Sequence, residues 1–265
     1  MGEIWIAIIL GIVQGLTEFL PVSSSGHLEL AKYILGDAAV GEESLLMTVV
    51  LHFGTALATI YVFRNQITDL LMKLFSKGNA EEKAFVYKIF LSMIPAVIVG
   101  LLLEKQLEAM FTQNIMLVCV MLVLTGILLF VADRYNKSGK SVSYSNAIKI
   151  GIAQAIAIIP GISRSGATIS TSVLLGIDRT KAAEFSFLMV VPLIFGKMAR
   201  DVLDGAFMAE NIQISALSVG FIVAFITGVI ACTWMIKIVR NSQLKYFAYY
   251  CIAIGLTGIV YAFVN

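Results

Sequence analysis

Residues 11–27, GIVQGLTEFLPVSSSGH, set Gln14, Glu18, Ser23, Ser24, Ser25 and His27 into a stretch that is otherwise apolar. A weaker copy returns at residues 151–168, GIAQAIAIIPGISRSGAT. The offset, 151 − 11 = 140, places Gln14 on Gln154, Ser23 on Ser163, Ser24 on Arg164, Ser25 on Ser165 and Gly26 on Gly166. Pro21 and Pro160 differ by 139, so the copies carry a one-residue slip between glutamine and serines. Polar Pro/Gly/Ser breaks at matching positions of two apolar halves point to a buried binding site.

The surroundings make the breaks a strong constraint. The 265 residues are 59% hydrophobic and 14% charged, with mean hydropathy +0.91. A soluble domain is nearer ~45–50% apolar and ~25% charged. The expected class is an all-α integral membrane protein, with the bilayer as partner. A full crossing takes ~20 apolar residues. The pieces at 4–20 and 28–35 are interrupted or short, so neither is expected to cross alone. Irregular backbone at membrane depth survives only where protein or a water-filled cavity covers it. The pair is therefore expected to form a re-entrant hairpin at about 4–35, with spans at about 45–63, 85–103 and 115–132. The same plan repeats in residues 141–265: a hairpin at about 147–177, then spans at about 184–200, 214–236 and 246–264. Three crossings per half make the second half inverted relative to the first, the parity of inverted-topology repeats. The whole is one membrane domain, with 1–140 the first repeat.

Charge distribution orients this plan. Arg64, Lys73, Lys77, Lys83, Lys88, Arg134, Lys137, Lys140, Lys149, Arg179, Lys181, Lys237, Arg240 and Lys245 fall on one side, and only Lys32, Lys105, Lys197 and Arg200 on the other. The richer side is expected to be cytoplasmic. The first hairpin then lies towards the outside, so the site is expected to open extracytoplasmically. Net charge +2 is too small to imply nucleic acid, and the charges sit in loops rather than in one basic patch, so no nucleic-acid partner is expected. Cys119, Cys232 and Cys251 sit in apolar runs without metal spacing and read as core residues. No basic n-region or small-residue cleavage site marks a signal peptide. Nothing in the sequence sets the oligomeric state, and a homodimer is left open.

The chemistry is concentrated in the breaks. Glu18 follows Gln14 by four residues, so both side chains share a helix face. A charged residue at mid-bilayer costs about 2.5–3.5 kcal/mol on insertion scales, so Glu18 needs a cation. Arg164 is one partner and a divalent metal, held by Glu18 with Gln14, is another. A purely structural Glu18–Arg164 pair is the plain alternative. Ser23, Ser24, Ser25 and Gly26 lead into a helix, as do Ser163, Arg164, Ser165, Gly166 and Thr168. Helix N-termini attract phosphate through unsatisfied N–H groups, and a guanidinium adds a two-pronged donor. Simple N-capping by serine is the competing account. His27 is suited to act as acid, base or nucleophile. His52, the other histidine, is expected to be a satisfied packing residue. No Walker motif is present.

The segment from Gln14 to His27 resembles the first signature of the bacitracin-resistance family of undecaprenyl-diphosphatases. Residues 160–168, PGISRSGAT, resemble its second, and residues 184–187, EFSF, also match the family. The resemblance covers essentially the whole chain. It implies removal of the terminal phosphate of undecaprenyl pyrophosphate, with a divalent cation, usually magnesium. It implies a bacterial plasma-membrane location, a polyprenyl diphosphate substrate and a role in recycling the lipid carrier for peptidoglycan. Glu18, Ser24, His27 and Arg164 fall on the family's catalytic positions. Gln14 stands where the family has Glu or Gln, which puts in doubt a metal shared by two carboxylates. Another lipid-phosphatase family also has a Ser-Gly-His run but needs a further downstream histidine, which this chain lacks after His52. The attacking atom is Ser24 Oγ, His27 or a water held by the metal; the sequence leaves these open. The rival reading is a transporter or flippase of a polyprenyl phosphate lipid.

Overall fold

The computed structural model describes residues 2–35, 42–76, 78–103, 114–135, 139–203, 213–240 and 243–264, with 106 and 110. Lys77, Lys105 and Lys137 of the charge pattern lie outside them. Eleven helices account for the described chain: α1 (Gly2–Phe19), α2 (Ser24–Leu35), α3 (Glu42–Val62), α4 (Arg64–Phe75), α5 (Ala80–Leu102), α6 (Ile115–Arg134), α7 (Tyr144–Ile156), α8 (Arg164–Leu174), α9 (Arg179–Leu203), α10 (Ile214–Arg240) and α11 (Leu244–Val264). Among the described residues there is no β-strand, only a bridge between Lys140 and Ile177.

The distribution of polarity is that of a membrane protein. Trp5, Ile94, Ile98, Leu124, Ile127, Val131, Ile222, Ile226 and Ile230 are exposed, whereas Gln14, Glu18, Thr55, Gln154 and Thr168 are buried. An apolar outer surface of this extent belongs against lipid. Six helices (α1, α5, α6, α9, α10, α11) are long and apolar enough to cross a bilayer. A seventh crossing results if α3 and α4, bent by 74° at Phe63, count together.

Two expectations need correction. The stretch 4–20 was expected to be a half-helix, but α1 is one 18-residue helix of membrane-crossing length. Its polar residues do not interrupt it because they lie on its buried face and bond within the helix. Thr17 Oγ1 donates to Val13 O at 2.6 Å, and Gln14 Nε2 donates to Glu18 Oε2 at 3.0 Å. By contrast α2, α7 and α8 have 12, 13 and 11 residues. At ~1.5 Å per residue they fall well short of a ~30 Å hydrocarbon core. The span expected at 184–200 is the 25-residue α9. Asp178 Oδ1 accepts from Thr180 N and Lys181 N at 3.0 and 3.2 Å and starts that helix earlier.

Helix α1 packs on α10 and α7 packs on α5; α6 packs on α11, and α3 on α9 and α10. Glycine sets two of these crossings. A Cβ on Gly11 would lie 2.8 Å from Gly220 O, and one on Gly151 would lie 2.3 Å from Ser92 O. The short α2 and α8 are left between the long helices, with their N-termini facing inward.

Candidate active site

Ser23 closes the turn after α1 with φ +71°, a left-handed conformation uncommon outside glycine. Its hydroxyl accepts from Gly26 N at 3.3 Å and its carbonyl from His27 N at 3.1 Å, so Ser23 caps α2. The second turn repeats the device. Ser163 Oγ accepts from Gly166 N at 3.0 Å and its carbonyl from Ala167 N at 2.8 Å. In each cap the serine two residues on stands close by, Ser25 Oγ 3.4 Å from Ser23 Oγ and Ser165 Oγ 3.2 Å from Ser163 Oγ. Both capping hydroxyls thus serve the helices themselves. Ser163 N also donates to Thr125 Oγ1 of α6 at 3.1 Å.

The two tips touch. Ser165 Oγ donates to Leu20 O at 3.1 Å, and a Cβ on Gly26 would lie 3.4 Å from Gly161 Cα. This contact places the start of α8 beside the end of α1, and so Arg164 beside Glu18.

Glu18 is the hub. Its Oε1 receives Arg164 Nη2 at 2.5 Å. Its Oε2 accepts from Ser24 Oγ at 2.7 Å and from Gln14 Nε2 at 3.0 Å. Gln14 Nε2 also reaches Thr55 Oγ1 of α3 at 3.4 Å. The side chains of Arg164 and Glu18 are 17% and 7% exposed, so the pair is largely out of water, where an unpartnered charge would be costly. Arg164 Nη1 donates to Ser186 O at 3.3 Å. Thr168 Oγ1 donates to Arg164 O at 2.9 Å and lies 2.6 Å from Ser186 Oγ, which ties α8 to α9.

His27, three residues after Ser24, is anchored at both ring nitrogens. Nδ1 lies 2.8 Å from Ser23 O, and since a carbonyl only accepts, Nδ1 is the donor. Nε2 lies 2.9 Å from the hydroxyl of Tyr250 on α11, and the two rings stack with centroids 5.6 Å apart.

Ser23, Ser24, Ser25, His27, Ser163, Arg164 and Ser165 therefore lie on two touching helix tips, and Gln14, Glu18, Ser24 and Arg164 form one hydrogen-bonded chain. Among the described residues no three of His, Cys, Asp and Glu gather as a metal-binding group. Glu18 and Gln14 still suit a hard divalent cation such as magnesium, which keeps several waters and uses one or two protein oxygens. Gln14 Oε1 is buried with no hydrogen-bond partner among the described residues.

Sequence reasoning missed Thr55 and Tyr250, which carry no mark beyond polarity inside apolar helices, and it noted Ser186 only as part of the segment 184–187 without giving it a role. It also misjudged His52. Instead of merely packing, His52 brings its Nε2 to 3.7 Å from Glu18 Oε2. The available signal was that His52 is the lone side chain within 45–63 whose ordinary charge change falls near neutral pH. Cys119, Cys232 and Cys251 are buried free thiols, as expected.

A family model described as "Bacitracin resistance protein BacA" matches residues 7–257. An undecaprenyl-diphosphatase of Christiangramia forsetii is 60% identical over 261 residues, covering 98% of this chain and 99% of the relative. Undecaprenyl-diphosphatases of Parabacteroides distasonis and Bacteroides fragilis are 45% and 43% identical over 258 residues, covering 96% of each chain compared.

Proposed function

The chain belongs to the bacitracin-resistance family, and from that premise we infer that it is a membrane undecaprenyl-diphosphatase. It hydrolyses the anhydride P–O bond of undecaprenyl pyrophosphate, giving undecaprenyl phosphate and inorganic phosphate. That recycles the lipid carrier for peptidoglycan synthesis and confers bacitracin resistance.

In this reading the diphosphate lies between the two tips, with its prenyl chain among the lipid-facing helices. Arg164 and the helix N-termini offset charge that builds on the transferred phosphoryl oxygens, ordinarily the largest contribution in such reactions. Glu18 holds Arg164 and Ser24 in place. Tyr250 and Ser23 aim His27. Ser25, Ser165 and the tip backbone position the phosphates. Glu18 and Gln14 would hold a divalent cation, which would supply positive charge to offset the negative charge of the diphosphate. Ser24, His27 and water remain the candidate nucleophiles.

The observation that carries this reading is the Arg164–Glu18 contact between the tips. The test is phosphate release from undecaprenyl diphosphate by detergent-purified protein with magnesium. Wild type is expected to release phosphate, and Arg164→Ala to lose roughly 10²–10³-fold in rate, the scale of one transition-state donor. Full activity in a folded Arg164→Ala protein overturns it. The carrier reading requires lipid movement without phosphate release, and the relatives' names do not favour it.

The inverted repeat is part of the same proposal, and three pairings support it. Gly11 crosses Gly220 and Gly151 crosses Ser92. The offset from Ser92 to Gly220, 220 − 92 = 128, is also that from Ile94 to Ile222 in the similar segments IPAVIVG and IVAFITG. Residues 124–127 and 256–259 both read LTGI; Gly126 faces Ala248 and Ile252 of α11, and Gly258 faces Cys119 of α6. Phe53-Gly54 and Phe195-Gly196 occupy α3 and α9, and their two phenyl rings meet edge-on at 5.7 Å. The proposed location is the bacterial plasma membrane, with the site opening extracytoplasmically.

A further inference from the structure

His52 stands beside the Glu18 carboxylate without a role in the scheme above. It comes from α3, a helix that carries neither tip. Its Nδ1 lies 2.8 Å from Thr48 O. A carbonyl only accepts, so Nδ1 carries the hydrogen and a neutral ring presents a bare lone pair at Nε2. That lone pair lies 3.7 Å from Glu18 Oε2. Two electron-rich atoms face each other across this gap unless a positive centre joins them. An N–H···O hydrogen bond is typically about 2.7–3.2 Å, shorter than the distance seen. Two metal–ligand bonds of about 2.0–2.2 Å, meeting at an angle, span it.

Two further observations point the same way. Gln14 Oε1 is fully buried and has no hydrogen-bond partner among the described residues, and its amide nitrogen is already committed to Glu18 and Thr55. An acceptor oxygen left without a donor in such a place is costly unless something positive meets it. The Nδ1–Thr48 contact is also the usual arrangement of a metal-ligating histidine, whose second nitrogen donates to a backbone carbonyl that fixes tautomer and ring orientation. His27 differs here, because the Tyr250 hydroxyl already occupies its Nε2. Arg164 takes the opposite oxygen of Glu18 and leaves the His52 side clear of the guanidinium.

We propose that His52 Nε2 is a ligand of the divalent cation, completing with Glu18 Oε2 and Gln14 Oε1 a set of one nitrogen and two oxygens. This rests on the phosphatase reading for the presence of a cation, and goes beyond it in assigning the nitrogen. An imidazole raises affinity for first-row transition ions relative to magnesium, whose preferred ligands are oxygens. The site therefore takes Mn2+ more tightly than Mg2+, and His52 sets the difference.

The experiment uses the full-length purified protein with Mn2+ as probe, read by electron paramagnetic resonance. Wild type is expected to bind Mn2+ with a nitrogen hyperfine coupling from a directly bonded imidazole. His52→Ala is expected to lose that coupling and to bind Mn2+ at least tenfold more weakly. His52→Gln, which restores an oxygen donor, is expected to recover part of the affinity with no nitrogen coupling and a lower Mn2+ to Mg2+ preference. His27→Ala, which leaves α3 untouched, is expected to keep the coupling. Wild type with no bound Mn2+, with no nitrogen coupling, or with a coupling that survives His52→Ala overturns the assignment. Phosphate release with Mg2+ on the same samples reports separately on the phosphatase reading. Hydrolysis without nitrogen coupling sinks the ligand and leaves the enzyme standing; coupling without hydrolysis does the reverse.

Discussion

Arg164 Nη2 meets Glu18 Oε1 at 2.5 Å although 146 residues of sequence separate them. The contact joins the start of α8 to the end of α1, and both partners are mostly removed from water. Removing one partner strands the other charge, a loss of about 3–5 kcal/mol for a buried pair. Arg164→Ala and Glu18→Ala should each lower the unfolding midpoint of purified protein. The double variant Glu18→Gln/Arg164→Met should recover much of that loss, because no uncompensated charge remains. Phosphate release should stay as low in the double variant as in Arg164→Ala. Thermal unfolding and phosphate release on the same samples separate the two effects, and a double variant no more stable than the singles would refute the account.

The hydroxyl of Tyr250 supplies the one hydrogen bond that reaches His27 Nε2, among the described residues. Tyr250→Phe removes that bond and keeps the stacked ring. A neutral hydrogen bond contributes about 1 kcal/mol. Turnover should fall about fivefold if the bond is stronger at the transition state, with the unfolding midpoint nearly unchanged. Tyr250→Ala should cost more on both measures, since stacking goes too. An unaltered rate in Tyr250→Phe would show that His27 needs no aiming from α11.

Ser23 and Ser163 cap equivalent helices but differ in backbone, with φ +71° and −72°. Loss of a serine cap to alanine typically costs about 1 kcal/mol, and loss to glycine only a few tenths. At Ser23 glycine also relieves the left-handed conformation that a Cβ disfavours. Ser23→Gly should therefore be at least as stable as wild type, and clearly above Ser23→Ala. At Ser163 glycine gains nothing from backbone relief and should rank just below wild type. Melting curves of Ser23→Gly, Ser23→Ala, Ser163→Gly and Ser163→Ala test the ordering, and equal behaviour at both sites would contradict the φ argument.

The pairing of the tips was legible in the sequence because two breaks at matching positions, in halves of matching hydropathy, must cover each other's polar backbone. Gln14 and Glu18 were legible as one face because they are four residues apart. The length of α1 was not, because three polar residues look like an interruption until their helix-internal bonds are seen. His52 escaped for a different reason. Its acidic partner sits on another helix, and no spacing rule within α3 reveals it. The likeness of 94–100 to 222–228 is by itself a weak apolar match. It gains weight from Gly151 and Gly11, whose close approaches select Ser92 and Gly220 at that same offset. Substitution by alanine at Gly151 meets a backbone oxygen rather than a movable side chain, so Gly151→Ala should destabilise by about 1–3 kcal/mol, the usual range for overpacking. Thermal melts of Gly151→Ala beside Gly196→Ala, where a Cβ meets nothing within 4 Å, would check this.

Gln154 occupies in the second tip the place Gln14 holds in the first, but the chemistry around it has gone. Four residues on, where Glu18 stands, the chain has Ile158. Both polar atoms of the Gln154 side chain are buried with no hydrogen-bond partner among the described residues. A buried amide without partners costs about 1–3 kcal/mol, and an apolar side chain of similar shape avoids that cost. Gln154→Met should therefore raise the unfolding midpoint and leave phosphate release unchanged. Gln14→Met should do the opposite, because it removes the donor to Glu18 Oε2 and the buried oxygen assigned to the cation. If Gln154→Met instead lowers both stability and turnover, a partner such as an ordered water or the substrate's second phosphate must meet that amide. The division of labour between an acidic first tip and a cationic second one would then have to be redrawn.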